Sequence, residues 1–206
     1  TAAAEPAGDG RLRPRWRHVQ RAASITSLRH TVTLCLKALA MPYRPIVATL
    51  GYLLSPDGNH VLMIHRNARS GDQHLGKYNG LGGKLEPDED VLACMRREVR
   101  EEAGVDCGAM QLRGTISWPG FGQQGEDWLG FVFLIHSFVG TPHTSNAEGT
   151  LEWIAIDRMD QVPMWEGDRN FLPLVFDGDL RPFHGVMPYR EDRKSTRLNS
   201  SHPSIS

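Results

Sequence analysis

The alternation of apolar and polar positions changes period along this chain, and the changes mark its elements. A largely apolar, β-branched run from Ile46 to Leu54 ends at Ser55-Pro56-Asp57-Gly58, which predicts a strand closed by a turn. Residues 60–66 read as a second strand and complete a hairpin. Residues 71–83 contain five glycines, at 71, 76, 80, 82 and 83, and read as a loop. Beyond it the period becomes helical: Val91, Leu92, Met95 and Val99 share one stripe and are expected to be buried. Pro87 and Asp88 mark the start of this helix, with Asp88 as its N-cap, and Gly104 marks its end. Residues 115–118 and 128–139 read as strands, the second long and strongly apolar, and residues 151–156 as another. A short helical turn is expected over 157–161 and a last helix over 168–176. Strands interleaved with two or more helices predict an α/β fold, a mixed sheet covered on both faces.

The polar side of the helix carries the chemistry. Glu98, Glu101 and Glu102 are separated by steps of three and four residues, so they lie on one helical face. Like charges at these spacings are unfavourable, whereas a divalent cation turns them into oxygen ligands. The wider spacing is Gly83, five residues, Glu89, seven residues, Arg97-Glu98-Val99, one residue, Glu101-Glu102, one residue, Gly104-Val105. Arg96 and Arg100 fit the ordinary role of surface partners to these acids.

At every position of that spacing the chain resembles the Nudix hydrolase family. The resemblance implies an α/β/α sandwich with a mixed β-sheet, whose glutamates hold magnesium, or manganese, against a nucleoside diphosphate derivative. Carried over residue by residue, it makes Glu98, Glu101 and Glu102 the metal ligands, with the carbonyl of Gly82 or Gly83 adding an oxygen. Glycine suits that place because backbone must approach the ion closely. Glu89 and Arg97 become a structural ion pair. Glu101 and Glu148 both stand as the catalytic base, and the residues do not choose between them.

Outside this motif, Lys77-Tyr78-Asn79-Gly80-Leu81-Gly82-Gly83-Lys84, Met164-Trp165-Glu166-Gly167-Asp168 and Phe183-His184-Gly185 resemble the subgroup acting on oxidised purine nucleoside triphosphates. By that likeness Asn79 and Asp168 read the base edge, Trp165 stacks on the purine, Thr49 lines the pocket and Arg66 faces the phosphates. The subgroup pairs two adjacent aspartates at the base, and here the first is Gly167. The implied activity is hydrolysis of 8-oxo-dGTP or a related nucleotide to monophosphate and pyrophosphate. Hydrolysis of ADP-ribose, dinucleoside polyphosphate or an RNA cap is the alternative, and a non-catalytic nucleotide sensor is a third reading.

Composition narrows the partners. Of 23 basic and 24 acidic residues, residues 1–40 hold seven and two and residues 194–206 two and none, which leaves 14 and 22 for residues 41–193, a net of −8. An acidic domain argues against nucleic-acid binding and suits a site that gathers cations. Three cysteines (Cys35, Cys94, Cys107) in no pairing or metal pattern suggest a reduced, cytoplasmic protein, with Cys94 as a packing residue. No apolar run has membrane-spanning length. A monomer acting on a nucleotide, without nucleic acid or membrane, is expected. Residues 41–193 are expected to form the domain. Residues 1–40, Arg-rich and nearly free of acids, read as an extension, either transit-like or translated from upstream of Met41. Residues 194–206 read as an unstructured tail foreign to the domain.

Overall fold

A computed structural model describes residues 43–188 and the backbone of residues 20 and 21. In chain order the strands are β1 (Gln20–Arg21), β2 (Ile46–Leu54), β3 (His60–His65), β4 (Tyr78–Asn79), β5 (Asp106–Cys107), β6 (Met110–Trp118), β7 (Trp128–Ile135), β8 (Phe138–Val139), β9 (Thr150–Ala155) and β10 (Phe183–Val186). Helix α1 spans Val91–Ala103 and α2 spans Glu166–Phe176, with a 3-10 turn at Ile156–Gln161. Among the described residues the main sheet runs β1-β10-β6-β7-β2-β3-β4, with β9 also on β3. It is mixed: β10–β6 and β2–β7 are parallel, while β6–β7, β2–β3 and β3–β9 are antiparallel. Strands β5 and β8 form a separate two-stranded sheet.

Alternation along the strands sends neighbours to opposite faces. Tyr52, Val61 and Met63 pack with Phe171, Leu172 and Val175 of α2, whereas Leu53, Leu62 and Ile64 pack with Met95, Val99 and Ala103 of α1. Two cores separated by one sheet make an α/β/α sandwich, as the sequence predicts.

Several boundaries differ from expectation, each for a local reason. The N-cap of α1 is Asp90, not Asp88: its Oδ1 accepts from the Leu92 and Ala93 N–H groups, both at 2.8 Å. Asp88 and Glu89 stay outside the helix, where Glu89 Oε1 accepts the Glu86 N–H at 2.9 Å. Leu92 is 41% exposed although it lies on the apolar stripe, since periodicity marks a face but not where its cover stops. The strand expected over 128–139 ends at Ile135, because the His136 N–H turns to the Ala109 carbonyl. Strand β6 begins at Met110 rather than 115 and carries a bulge between Leu112 and Gly114. Strands β4, β5 and β10 were too short or too polar to read from pattern. Cys94 is fully buried, as expected, while Cys35 lies outside the described residues. The expectations for residues 1–40 and 194–206 lie outside them too, save that β1 pairs with β10 at the sheet edge.

Arg113, in the bulge, is 1% exposed. Its Nε donates to the Val175 carbonyl at 2.8 Å, and its Nη2 donates to the Leu174 carbonyl and to Asp177 Oδ1, both at 2.9 Å. A buried guanidinium therefore satisfies the orphan carbonyls at the end of α2 and ties that helix to the sheet. Replacing Arg113 by Met should lower unfolding free energy by about 3 kcal/mol, since carbonyls and a carboxylate lose their partner together. Urea denaturation checks this, and an unchanged midpoint would show that the cap is dispensable.

Candidate functional site

The Gly82–Gly83 turn lies flat against β2. The Thr49 N–H donates to the Gly83 carbonyl at 2.9 Å, the Gly51 N–H to the Leu81 carbonyl at 2.6 Å, and the Leu85 N–H to the Val47 carbonyl at 2.9 Å. Gly82 has φ +141°, a conformation that L side chains rarely adopt, and a Cβ there would overlap the Thr49 carbonyl. A Cβ at Gly83 would overlap the Glu98 carboxylate. Glycine at both positions thus lets helix α1 bring its acids against backbone.

Those acids are held in different ways. Glu102 Oε2 accepts the Gly82 N–H at 2.7 Å. Burial lifts its carboxyl to about 8; Glu148 and Glu98 push the same way, against the Gly82 bond and Arg66. Glu98 is also raised, by burial first, although Arg97 Nη1 lies 2.9 Å from its Oε1. Glu101 is 59% exposed in its side chain and reaches Arg97 Nη1 at 3.4 Å. Arg97 in turn meets Glu89 through both oxygens, at 2.6 and 3.1 Å, and donates to the Lys84 carbonyl at 3.1 Å. Its hydrogen bonds pull Glu89 down to about 2. With Glu98 and Glu101 drawn to Arg97 and Glu102 to a backbone amide, no three acidic, His or Cys side chains among the described residues close on a single point.

A divalent cation nevertheless fits the donor set. Every donor is oxygen, as a hard ion requires. The Gly83 carbonyl accepts the Thr49 N–H at 2.9 Å and otherwise only a long, weak contact from Cys94 Sγ at 4.0 Å, which an ion could displace. Glu98 would have to turn from Arg97, which keeps Glu89 as partner.

Beside the turn lies a cavity of about 310 Å³. Thr49, Arg66, Asn79, Glu148, Trp165 and Asp168 all line it, as do Gly82 and Gly83. Glu98 and Glu102 abut it through these glycines, while Glu101 faces outward. Thr49 is 4% exposed, its hydroxyl 3.4 Å from Cys94 Sγ. Arg66 donates through Nε and Nη2 to Asp72 Oδ2, at 2.8 and 2.7 Å, and through Nη1 to Glu148. Two of its five N–H groups remain for anything in the cavity, so the residue is a strut before it is an anion receptor. An Asx turn, Asn146 Oδ1 accepting the Glu148 N–H at 2.8 Å, holds Glu148 in place.

Elsewhere in the lining, Trp165 is 3% exposed, and Lys77 Nζ sits 4.4 Å over its ring and covers that face. Asp168 keeps some accessible surface towards the cavity, yet burial raises its carboxyl to about 7, against the pull of Lys77 and Arg169. Three buried side-chain atoms have no hydrogen-bond partner among the described residues: Asn79 Oδ1, Trp118 Nε1 and Trp128 Nε1, all on cavity-lining residues. Sequence reasoning missed Trp118, Trp128, Phe121 and His74, which come from two strands and two loops with no shared spacing.

A sheet clasped between two helices thus carries a glycine turn and a helix of acids beside one cavity of about 310 Å³. The chain belongs to the Nudix family: that family's model, described as the NUDIX domain, matches residues 44–175. It is 30% identical over 127 residues to the uncharacterized Nudix hydrolase YvcI of Bacillus subtilis (strain 168), covering 59% of this chain and 78% of that protein. It is 31% identical over 100 residues to an oxidized purine nucleoside triphosphate hydrolase of Danio rerio, covering 48% of this chain and 63% of the relative, less than two thirds of its length. The crystal structure of the MutT protein from Bacillus halodurans superposes with a TM-score of 0.61 at 26% identity, over 71% of this chain and 92% of that one.

The two glycines should fail differently. Gly82→Ala should destabilise the protein by about 3 kcal/mol, because backbone meets backbone at a forbidden φ. Gly83→Ala should stay within about 1 kcal/mol of wild type, because only the end of Glu98 must move, while its hydrolytic turnover falls. Urea melts alongside a phosphate-bond cleavage assay decide it; equal stability losses in the two variants would contradict this assignment.

Proposed function

We propose that the protein is a metal-dependent pyrophosphohydrolase that cleaves oxidised purine (deoxy)nucleoside triphosphates, such as 8-oxo-dGTP, to the monophosphate and pyrophosphate. One observation carries the reading: residues suited to a base and residues suited to a polyphosphate line the same cavity. Unpaired buried donors and an unpaired acceptor on cavity-lining residues favour a ligand that is polar at its edges and flat between them. An Asp168 carboxyl near 7 is available as donor or acceptor at neutral pH, which suits the altered tautomer of an oxidised purine.

Beside the Gly82–Gly83 turn, magnesium or manganese held by Glu98, Glu101, Glu102 and the Gly83 carbonyl would offset charge at phosphorus and lower the pKa of a bound water. The chain's own groups do the rest. Arg97 releases Glu98 while retaining Glu89, so the loop keeps its shape as the acids turn inward. Glu148, fixed by Arg66 and its Asx turn, lies at the cavity wall where a water proton can be taken. Glu101, exposed and held only by a 3.4 Å contact to Arg97, is the other group able to do so. Gly167 leaves a single carboxylate at the base, which favours narrow rather than broad purine selection and keeps hydrolysis of another nucleoside diphosphate derivative as the second reading.

Steady-state kinetics with magnesium on 8-oxo-dGTP, dGTP, ADP-ribose and a dinucleoside polyphosphate should give 8-oxo-dGTP the highest kcat/KM, by about tenfold or more. A preference for ADP-ribose would sink the oxidised-purine reading in favour of the second. Glu101→Gln should lose about 100-fold or more in kcat. Because the side chain is 59% exposed, its thermal midpoint should stay near wild type. Wild-type turnover in that variant would remove Glu101 from the machinery.

A further inference from the structure

His74 belongs to no motif, yet it stands between the two side chains assigned to the base. Its Nδ1 lies 2.7 Å from Trp165 Nε1 and 3.4 Å from Asn79 Nδ2. An indole nitrogen can only donate, so His74 Nδ1 must accept, and the imidazole proton must be on Nε2. The Gln73 side-chain amide lies 3.0 Å from Nε2 and, with that nitrogen protonated, must turn its carbonyl to it. The same logic fixes Asn79. Reversing its amide would set its carbonyl oxygen against the Nδ1 lone pair, acceptor against acceptor, so the NH₂ faces His74. Asn79 Oδ1 is then left free, and it is indeed buried without a partner.

Resting on the reading of this cavity as a base pocket, we propose that His74 is a positioning residue which sets the hydrogen-bond polarity of that pocket: as a shared acceptor it clamps the Trp165 indole and turns Asn79 so that its carbonyl oxygen faces the ligand. The pocket then selects a heterocycle edge that brings an N–H to Asn79 and rejects one that brings a lone pair. The surroundings hold His74 neutral. Burial and the Arg66 and Lys77 charges lower its pKa to about 4, against Asp72. Its backbone is held as well, the His74 N–H donating to Asp72 Oδ1 at 2.9 Å while Asp72 is gripped by Arg66. The edge-on His74 ring, 5.5 Å from Trp165 between centroids, leaves the indole face uncovered by His74.

Two measurements on the full chain test this. Long-range proton–nitrogen NMR of histidine-labelled wild type near neutral pH should show His74 protonated on Nε2 and bare on Nδ1; a proton on Nδ1 would overturn the proposal whatever the enzyme cleaves. Kinetics should then compare His74→Leu, which has no acceptor, with His74→Asn, whose amide oxygen can stand in for Nδ1, on whichever nucleotide wild type prefers. His74→Leu should raise KM about tenfold, the effect of losing one or two hydrogen bonds, with kcat within about threefold. His74→Asn should recover KM to within about threefold. An unchanged KM in His74→Leu, or equal losses in the two variants, would refute the positioning role. Failure of the oxidised-purine reading would appear instead as a different preferred nucleotide, leaving this comparison intact.

Discussion

The close approach of α1 to the Gly82–Gly83 turn is the constraint on which the rest of the site depends, because it forces carboxylates of like sign against backbone and against one another. Three devices make it tolerable. The turn is bonded edge-on to β2, so it presents a flat surface. Its glycines remove the Cβ atoms that would otherwise keep the helix away. Arg97 neutralises Glu89 and Glu98 together, and Glu102, without an arginine of its own, accepts a single amide and is raised to about 8. An arrangement that leaves a buried carboxyl so poorly compensated is a poor way to build a stable helix and a good way to prepare an oxygen-rich cation site.

The polar residues of the cavity lining are joined by one chain of hydrogen bonds. Arg66 bridges Glu148 to Asp72, and Asp72 holds the backbone of His74, which bonds Trp165 and Asn79. Helix α2 supplies Asp168 and is anchored from beneath by Arg113. The pocket is therefore assembled from a loop, a two-residue strand and a helix that owe their relative places to two arginines spent on structure. This explains why Arg66 is so heavily engaged by carboxylates despite lining the cavity.

Much of this could be read from the chain. Each long element shows its period: β2 and β3 as apolar runs, α1 as a stripe, and the acids on the other side at three- and four-residue steps. The likeness of residues 77–84 and 164–168 to a known subgroup singled out Asn79, Trp165 and Asp168, and the fold does gather them along one cavity with Thr49, Arg66 and Glu148. The misses have a common character. Asp90 displaced Asp88 as cap because Glu89's side chain was needed by Arg97 and by the Glu86 amide, a competition invisible in spacing. Strand β10 and the buried role of Arg113 depend on partners about 70 and 60 residues away along the chain.

By itself the sequence determined the periodicities, and with them the sandwich, and it determined the acid–glycine register, since both are local quantities fixed by the geometry of one helix and one turn. Only the tertiary structure decided which way polar side chains face: that Glu101 is exposed, that Arg66 is a strut, and that His74 accepts a hydrogen bond from the Trp165 indole. Those outcomes depend on hydrogen-bond complementarity between segments distant in the chain, and a donor's direction has no meaning until its acceptor has been brought beside it.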